Sequence, residues 1–147
     1  MVGVLPIPTA DVGRARSVAA PVDAVLAASE TAPREARRLV RELAAPHLPP
    51  ARLNQLLVAL SEAVSNAVLH AYPHGSPGVV RLKAWTADES AAVLVLDEGT
   101  GFEPTSRERG RRTGLGMGID LMHTLASEVV VDSRPGTGTA VLLMFRA

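Results

Sequence analysis

Glu62 and Asn66 lie four residues apart in the stretch Leu60-Ser61-Glu62-Ala63-Val64-Ser65-Asn66-Ala67. On a helix that spacing turns one side chain only about 40° from the other, so a carboxylate and an amide face one direction a single turn apart. Such a carboxylate can act as a general base, and the amide oxygen is a hard ligand suited to Mg2+. Two further segments extend this chemistry, the turn Asp97-Glu98-Gly99-Thr100-Gly101 and the run Gly114-Leu115-Gly116-Met117-Gly118. The Asp97 carboxylate can accept a hydrogen bond from the exocyclic amine of adenine, while Gly99 and Gly101 let the backbone close over a ring. GTP presents a carbonyl at that position, so ATP is the preferred nucleotide. The glycine run can open a helix whose free N–H groups and dipole meet phosphates. Together the three segments predict an Mg-ATP site in which Glu62 accepts a proton from the group attacking the γ-phosphate.

Each segment taken alone also has a plainer reading. Glu62 and Asn66 could form a solvated stripe, but their neighbours are Ala and Ser, whereas a merely wet helix face carries long charged residues. Asp and Gly after a strand are ordinary turn residues. A glycine triplet by itself is a weak signal, and here the strand that a dinucleotide fingerprint requires before it is replaced by an Arg-rich stretch. Lys83 is the sole lysine and follows Leu82, so the glycine-lysine step of a phosphate-binding P-loop is absent. The two commoner nucleotide folds are thereby removed.

The elements that must position these residues follow from periodicity. At 147 residues, 47% hydrophobic, the chain reads as one domain with material for a sizeable core. Fifteen acidic and fifteen basic residues balance, which gives no field to draw a nucleic acid or an anionic membrane. There are no cysteines, which removes disulfides, thiolate metal sites and cysteine nucleophiles together. No apolar run reaches the roughly 20 residues of a membrane span, and the start does not read as a signal peptide, so the expected location is cytoplasmic.

Residues 1–20 mix Pro, Gly and small residues without a period and are expected to form a flexible N-terminal arm, with the domain proper over 21–147. A strand is predicted over Val22 to Ala27, a helix over Pro33 to Ala45 and a second helix over Ala51 to Ala71. His70 is read as ending that helix, and Pro73 spoils the helical spacing that a His70/His74 zinc pair would need. Val79 to Trp85 alternates Val80, Leu82 and Ala84 against Arg81, Lys83 and Trp85, which predicts a strand with one wet face. Ala91 to Leu96 is apolar throughout and should be a more central, antiparallel partner. The stretch from Thr100 to Thr113, with Arg107, Arg109, Arg111 and Arg112, reads as a lid. A helix from about Gly116 to Ala126 and a hairpin of Val129 to Asp132 with Thr139 to Phe145 complete the chain. Helices packed on one face of a mixed, largely antiparallel sheet is the economical α/β (α+β) arrangement, a two-layer sandwich.

In this order the motifs resemble the N box, the glycine boxes and the final Gly138-Thr139 box of the GHKL ATPase superfamily, from about Val22 to Phe145. The short stand-alone form and the Leu60 to Ala67 sequence most resemble the bacterial anti-sigma factor serine/threonine kinases. The resemblance implies a Bergerat-type sandwich with an ATP lid, ATP and Mg2+ as cofactors, Glu62 as catalytic base, Asn66 as magnesium ligand, Asp97 as adenine anchor and Thr139 as a further adenine contact. It also implies phosphoryl transfer to Ser or Thr of an anti-anti-sigma (STAS-type) protein, capture of a sigma factor, and a homodimer in many members. Three other functions stay open at this level. One is a nucleotide-dependent binding module without turnover, another a plain ATPase, and a third the catalytic half of a histidine kinase, for which no helix carrying a phosphoacceptor His precedes the domain.

Overall fold

The structure, a computed structural model, describes residues 4–72, 77–99 and 115–147. Its elements run α1 (Val12–Ser17), β1 (Val22–Ala27), α2 (Ala32–Ala44), α3 (Pro50–Asn66), a π-helical turn (Ala67–Ala71), β2 (Val79–Ala87), β3 (Ser90–Asp97), α4 (Leu115–Leu125), β4 (Glu128–Arg134) and β5 (Gly138–Arg146). The five strands form one sheet in the order β1-β2-β3-β5-β4, and every pairing is antiparallel. The α/β sandwich expected from the motifs is present, with an entirely antiparallel sheet among the described strands.

Register explains the core. Because strand side chains alternate between faces, cross-strand partners build rows on one face. Val93, Leu143 and Val129 make one inner row, and Val95, Val141 and Val131 the next. On the same face α2 sets Ala36, Val40 and Ala44 over β1 and β2, and α3 sets Leu56, Leu60, Ala63 and Val64 over β3 and β5. The spacing of four in α2 holds its small apolar residues against the sheet, and Pro33 and Pro50 each sit in a first turn, where no N–H donor is lost.

The outer face departs from the sequence expectation. Lys83 and Trp85, assigned to a wet face by alternation, are only 2% and 1% exposed. Residues 4–20, expected as a loose arm, lie across them and bury Ile7, Val12 and Ala15 with Trp85, Leu94, Leu142 and Met144. Lys83 Nζ donates to the carbonyls of Ala15 (2.9 Å), Arg16 (3.0 Å) and Val18 (2.5 Å), and Trp85 Nε1 to that of Ala19 (2.8 Å). The last carbonyls of a helix have no partner within it, and an ammonium with three donors is well matched to them. Asp11 closes the other end of α1 by accepting from the Arg14 N–H at 3.0 Å.

Candidate nucleotide site

Glu62 and Asn66 occupy the last two turns of α3, both half-buried, on the flank that meets α4. The meeting point is Gly118, itself buried in the first turn of α4. A methyl group on Gly118 would lie 3.0 Å from Asn66 Nδ2, 3.2 Å from Glu62 Oε2 and 3.5 Å from Asn66 Oδ1. The carboxylate and the amide therefore converge on one spot, and glycine is what lets them come that close to α4. Leu115, Gly116 and Met117 form the start of α4, so the glycine run opens a helix as its composition predicts, where the first N–H groups lack intrahelical acceptors.

Asp97 closes β3 at the other side of the site. Its Oδ1 accepts from the backbone N–H of Gly99 (3.0 Å) and of Thr139 (3.2 Å). Among the described residues no donor engages Oδ2, so the carboxylate is oriented with one oxygen to spare. Burial pushes the Asp97 carboxyl above its ordinary range, and the two backbone donors pull it partly back. Gly138 is required by the approach of β5 to this turn. Its φ is +102°, and a Cβ there would stand 2.2 Å from the Asp97 carbonyl oxygen.

Two residues absent from the motif reading hold these parts together. Tyr72, which ends the π-helical turn, donates its hydroxyl to the Val79 carbonyl (2.7 Å) and accepts from the Glu98 N–H (3.0 Å). The end of the Glu62/Asn66 helix is thereby tied to the turn that carries Asp97. Its ring covers Gly78, where a Cβ would fall 2.2 Å from a ring carbon. Ser133, 5% exposed on β4, lies 2.7 Å from the Thr139 hydroxyl. Alternation along Val129, Val131 and Ser133 would have placed it inward had the predicted strand not stopped at Asp132.

The expected site residues thus gather into two clusters on the inner side of the sheet, Glu62, Asn66 and Gly118 at the α3–α4 contact and Asp97, Gly99 and Thr139 at the ends of β3 and β5. Gly101, Gly114 and the lid arginines Arg107, Arg109, Arg111 and Arg112 lie outside the described residues. Ala67–Ala71, expected as the last turn of an α-helix running to Ala71, is π-helical rather than α-helical, a wider turn often found at functional sites.

The histidine kinase-like ATPase domain family matches residues 26–145. The chain belongs to that family. Among relatives of this ATPase domain, the anti-sigma F factor of Clostridium beijerinckii is 32% identical over 98 residues, covering 62% of this chain and 68% of the relative. The anti-sigma F factor of Caldanaerobacter subterraneus subsp. tengcongensis is 37% identical over 90 residues, 56% of this chain and 62% of the relative. A solved structure of the RsbU and RsbW domains of a Mycobacterium tuberculosis protein superposes with a TM-score of 0.62 at 26% identity, over 87% of this chain and 32% of that one. The histidine kinase domain of a blue-light activated histidine kinase from Erythrobacter litoralis, at TM-score 0.54 and 22% identity over 78% of this chain and 60% of that one, shares the fold. The chain therefore spans about two thirds of its anti-sigma F relatives and about one third of the mycobacterial chain.

The residues present suit the ligand that the family's name implies. The free oxygen of Asp97 is an acceptor for an amino group, and Asn66 brings a hard amide oxygen beside the Glu62 carboxylate at the start of α4. Among the described residues no cluster of three or more His, Cys, Asp or Glu could hold a metal by itself. A magnesium ion beside Asn66 would complete its shell with phosphate oxygens and water.

Proposed function

We propose that this ATPase domain is an ATP-dependent serine/threonine protein kinase acting as an anti-sigma factor, which phosphorylates an anti-anti-sigma protein and holds a sigma factor. The observation that carries the reading is the convergence of Glu62 Oε2 and the Asn66 amide on Gly118, at the N-terminal turn of α4. It is supported by relatives named anti-sigma F factor and by the likeness to a structure containing an RsbW domain. In this reading Asp97 and Thr139 hold adenine, Asn66 holds Mg2+, and Gly99, Gly101 and residues 114–118 supply close backbone to the nucleotide. Bound Mg2+ would neutralise phosphate charge. Glu62 takes the proton of the acceptor hydroxyl as its oxygen bonds to the γ-phosphorus and the bond to the ADP oxygen breaks. A homodimer belongs to the same reading, as does a cytoplasmic site of action; among the described residues no helix is long and apolar enough to cross a membrane.

Purified protein incubated with radiolabelled ATP and a candidate STAS-type protein should label that protein on Ser or Thr. Glu62→Ala should lower the rate by about 100-fold or more while nucleotide still binds. Binding of Mg-ATP without transfer to any such protein, or to water, would instead select the non-catalytic module.

A further inference from the structure

Strands β2 and β3 are paired as far as Val80 and Asp97. One step further in the same register Val79 stands opposite Glu98, and the Tyr72 hydroxyl bonds both members of that pair. It accepts from the Glu98 N–H at 3.0 Å and donates its one hydrogen to the Val79 carbonyl at 2.7 Å, so the direction of each bond is fixed. Tyr72 belongs to neither strand. It follows the π-helical turn that continues the Glu62/Asn66 helix, and its ring packs against the main core and over Gly78.

The peptide unit between Asp97 and Glu98 is thereby held at both ends. A trans peptide is planar, with its N–H and C=O pointing opposite ways. Here the N–H meets Tyr72, while the C=O meets β5, where Gly138 lacks the Cβ that would fall 2.2 Å from it. β3 fixes the chain up to Asp97, so the plane of this next peptide sets the last backbone rotation of Asp97. That rotation decides whether the N–H two residues on can reach the Asp97 side chain. In the structure it does, with Gly99 N–H 3.0 Å from Oδ1.

We propose that Tyr72 is a positioning residue for adenine recognition, acting through the Asp97–Glu98 peptide. By holding that unit it keeps the Gly99 N–H on Oδ1, which leaves Oδ2 as the acceptor for the amino group of the base. Without the hydroxyl the peptide can rotate, and the carboxylate keeps only the Thr139 N–H to orient it. The inference rests on the nucleotide reading above and assigns within it a residue that does not touch the base.

The test uses the full chain with Mg2+, titrated calorimetrically with ATP and with purine riboside triphosphate, in which hydrogen replaces the amino group. Wild-type protein should bind ATP more tightly than the analogue. Tyr72→Phe keeps the ring and removes only the hydroxyl. It should weaken ATP about fivefold, the worth of one neutral hydrogen bond, and leave the analogue nearly unchanged. Added to Asp97→Asn, the same substitution should weaken ATP little further. Equal losses for both nucleotides in Tyr72→Phe, or no loss in either, would overturn the positioning role while leaving the ATP site intact. Tyr72 is the sole tyrosine, so 3-fluorotyrosine labels this position alone and keeps the hydroxyl, which serves even if Tyr72→Phe does not fold. Its fluorine resonance should move further with ATP than with the analogue, and equal movement would likewise overturn the role. Wild-type protein that binds both nucleotides equally would overturn the adenine role of Asp97 and this inference with it; binding neither would overturn the nucleotide reading as a whole.

Discussion

Asp97, the proposed adenine acceptor, is held in place at a cost to the unliganded fold. Its carboxylate is taken out of water, and the Gly99 and Thr139 N–H groups replace only part of the lost hydration. Its folded-state pKa is therefore raised above the ordinary 3.8 of the unfolded chain. Between those two values the native state binds more protons than the unfolded state, so Asp97 makes the unliganded protein less stable as pH rises through its raised pKa. Adenine's amine favours the ionised form, so ATP affinity should run the opposite way and weaken as pH falls through the same window. Asp97→Asn removes the buried charge yet keeps an oxygen for the two backbone donors. The variant should melt at a higher temperature than wild type without nucleotide, and calorimetry should find ATP bound about tenfold to a hundredfold more weakly. Asp97 and the Glu62/Asn66 pair were legible because side-chain type and near spacing carry their chemistry. Tyr72 and Ser133 were not, since their partners are separated from them by chain segments that no local period connects.

At the scale of elements, the contact between α3 and α4 decides whether Glu62 and Asn66 can work together. Gly118 is a position of α4 whose missing side chain leaves Glu62 and Asn66 in contact with its backbone. The atoms that a methyl would meet, at 3.0 and 3.2 Å, are the tips of side chains, which can shift by a few tenths of an ångström without moving backbone. Gly118→Ala should therefore fold, with a helix-propensity gain of up to about 1 kcal/mol offsetting the crowding. Its phosphoryl transfer should nonetheless fall about tenfold to a hundredfold, because the displaced groups are those that must be aligned. Thermal melts and single-turnover transfer measured on the same preparation separate the two effects. Helix and strand identities here followed from their 3.6- and 2-residue periods. The change from α to π winding after Asn66 was not visible in that pattern, because apolar residues continue through Val68 and Leu69 whichever way the backbone winds.

Across the whole molecule the sheet is covered on both sides, by α2, α3 and α4 within and by residues 4–20 without. Lys83 holds the outer cover by donating to three carbonyls at the end of α1, with its ammonium 5.3 Å from the centre of the Trp85 ring. Lys83→Met keeps the apolar stem and removes the donors. The domain should stay folded, with stability reduced by about 1–3 kcal/mol. Trypsin should cut faster at Arg14 and Arg16, and Trp85 fluorescence should shift to the red, while ATP affinity stays near wild type because the residues proposed to bind nucleotide lie on the opposite face. Unchanged proteolysis and fluorescence would show that the clamp is not what holds the arm.

The sequence by itself determined the order of elements from β1 onward and the face of α3 that carries Glu62 and Asn66. These are properties of residues near one another in the chain, where helical and strand periods fix direction. Only the tertiary structure decided that Lys83 and Trp85 are buried and that Ser133 meets Thr139. Alternation tells which residues share a face, but whether a face is wet depends on which distant segment lands on it, and which hydroxyls touch depends on the register between strands.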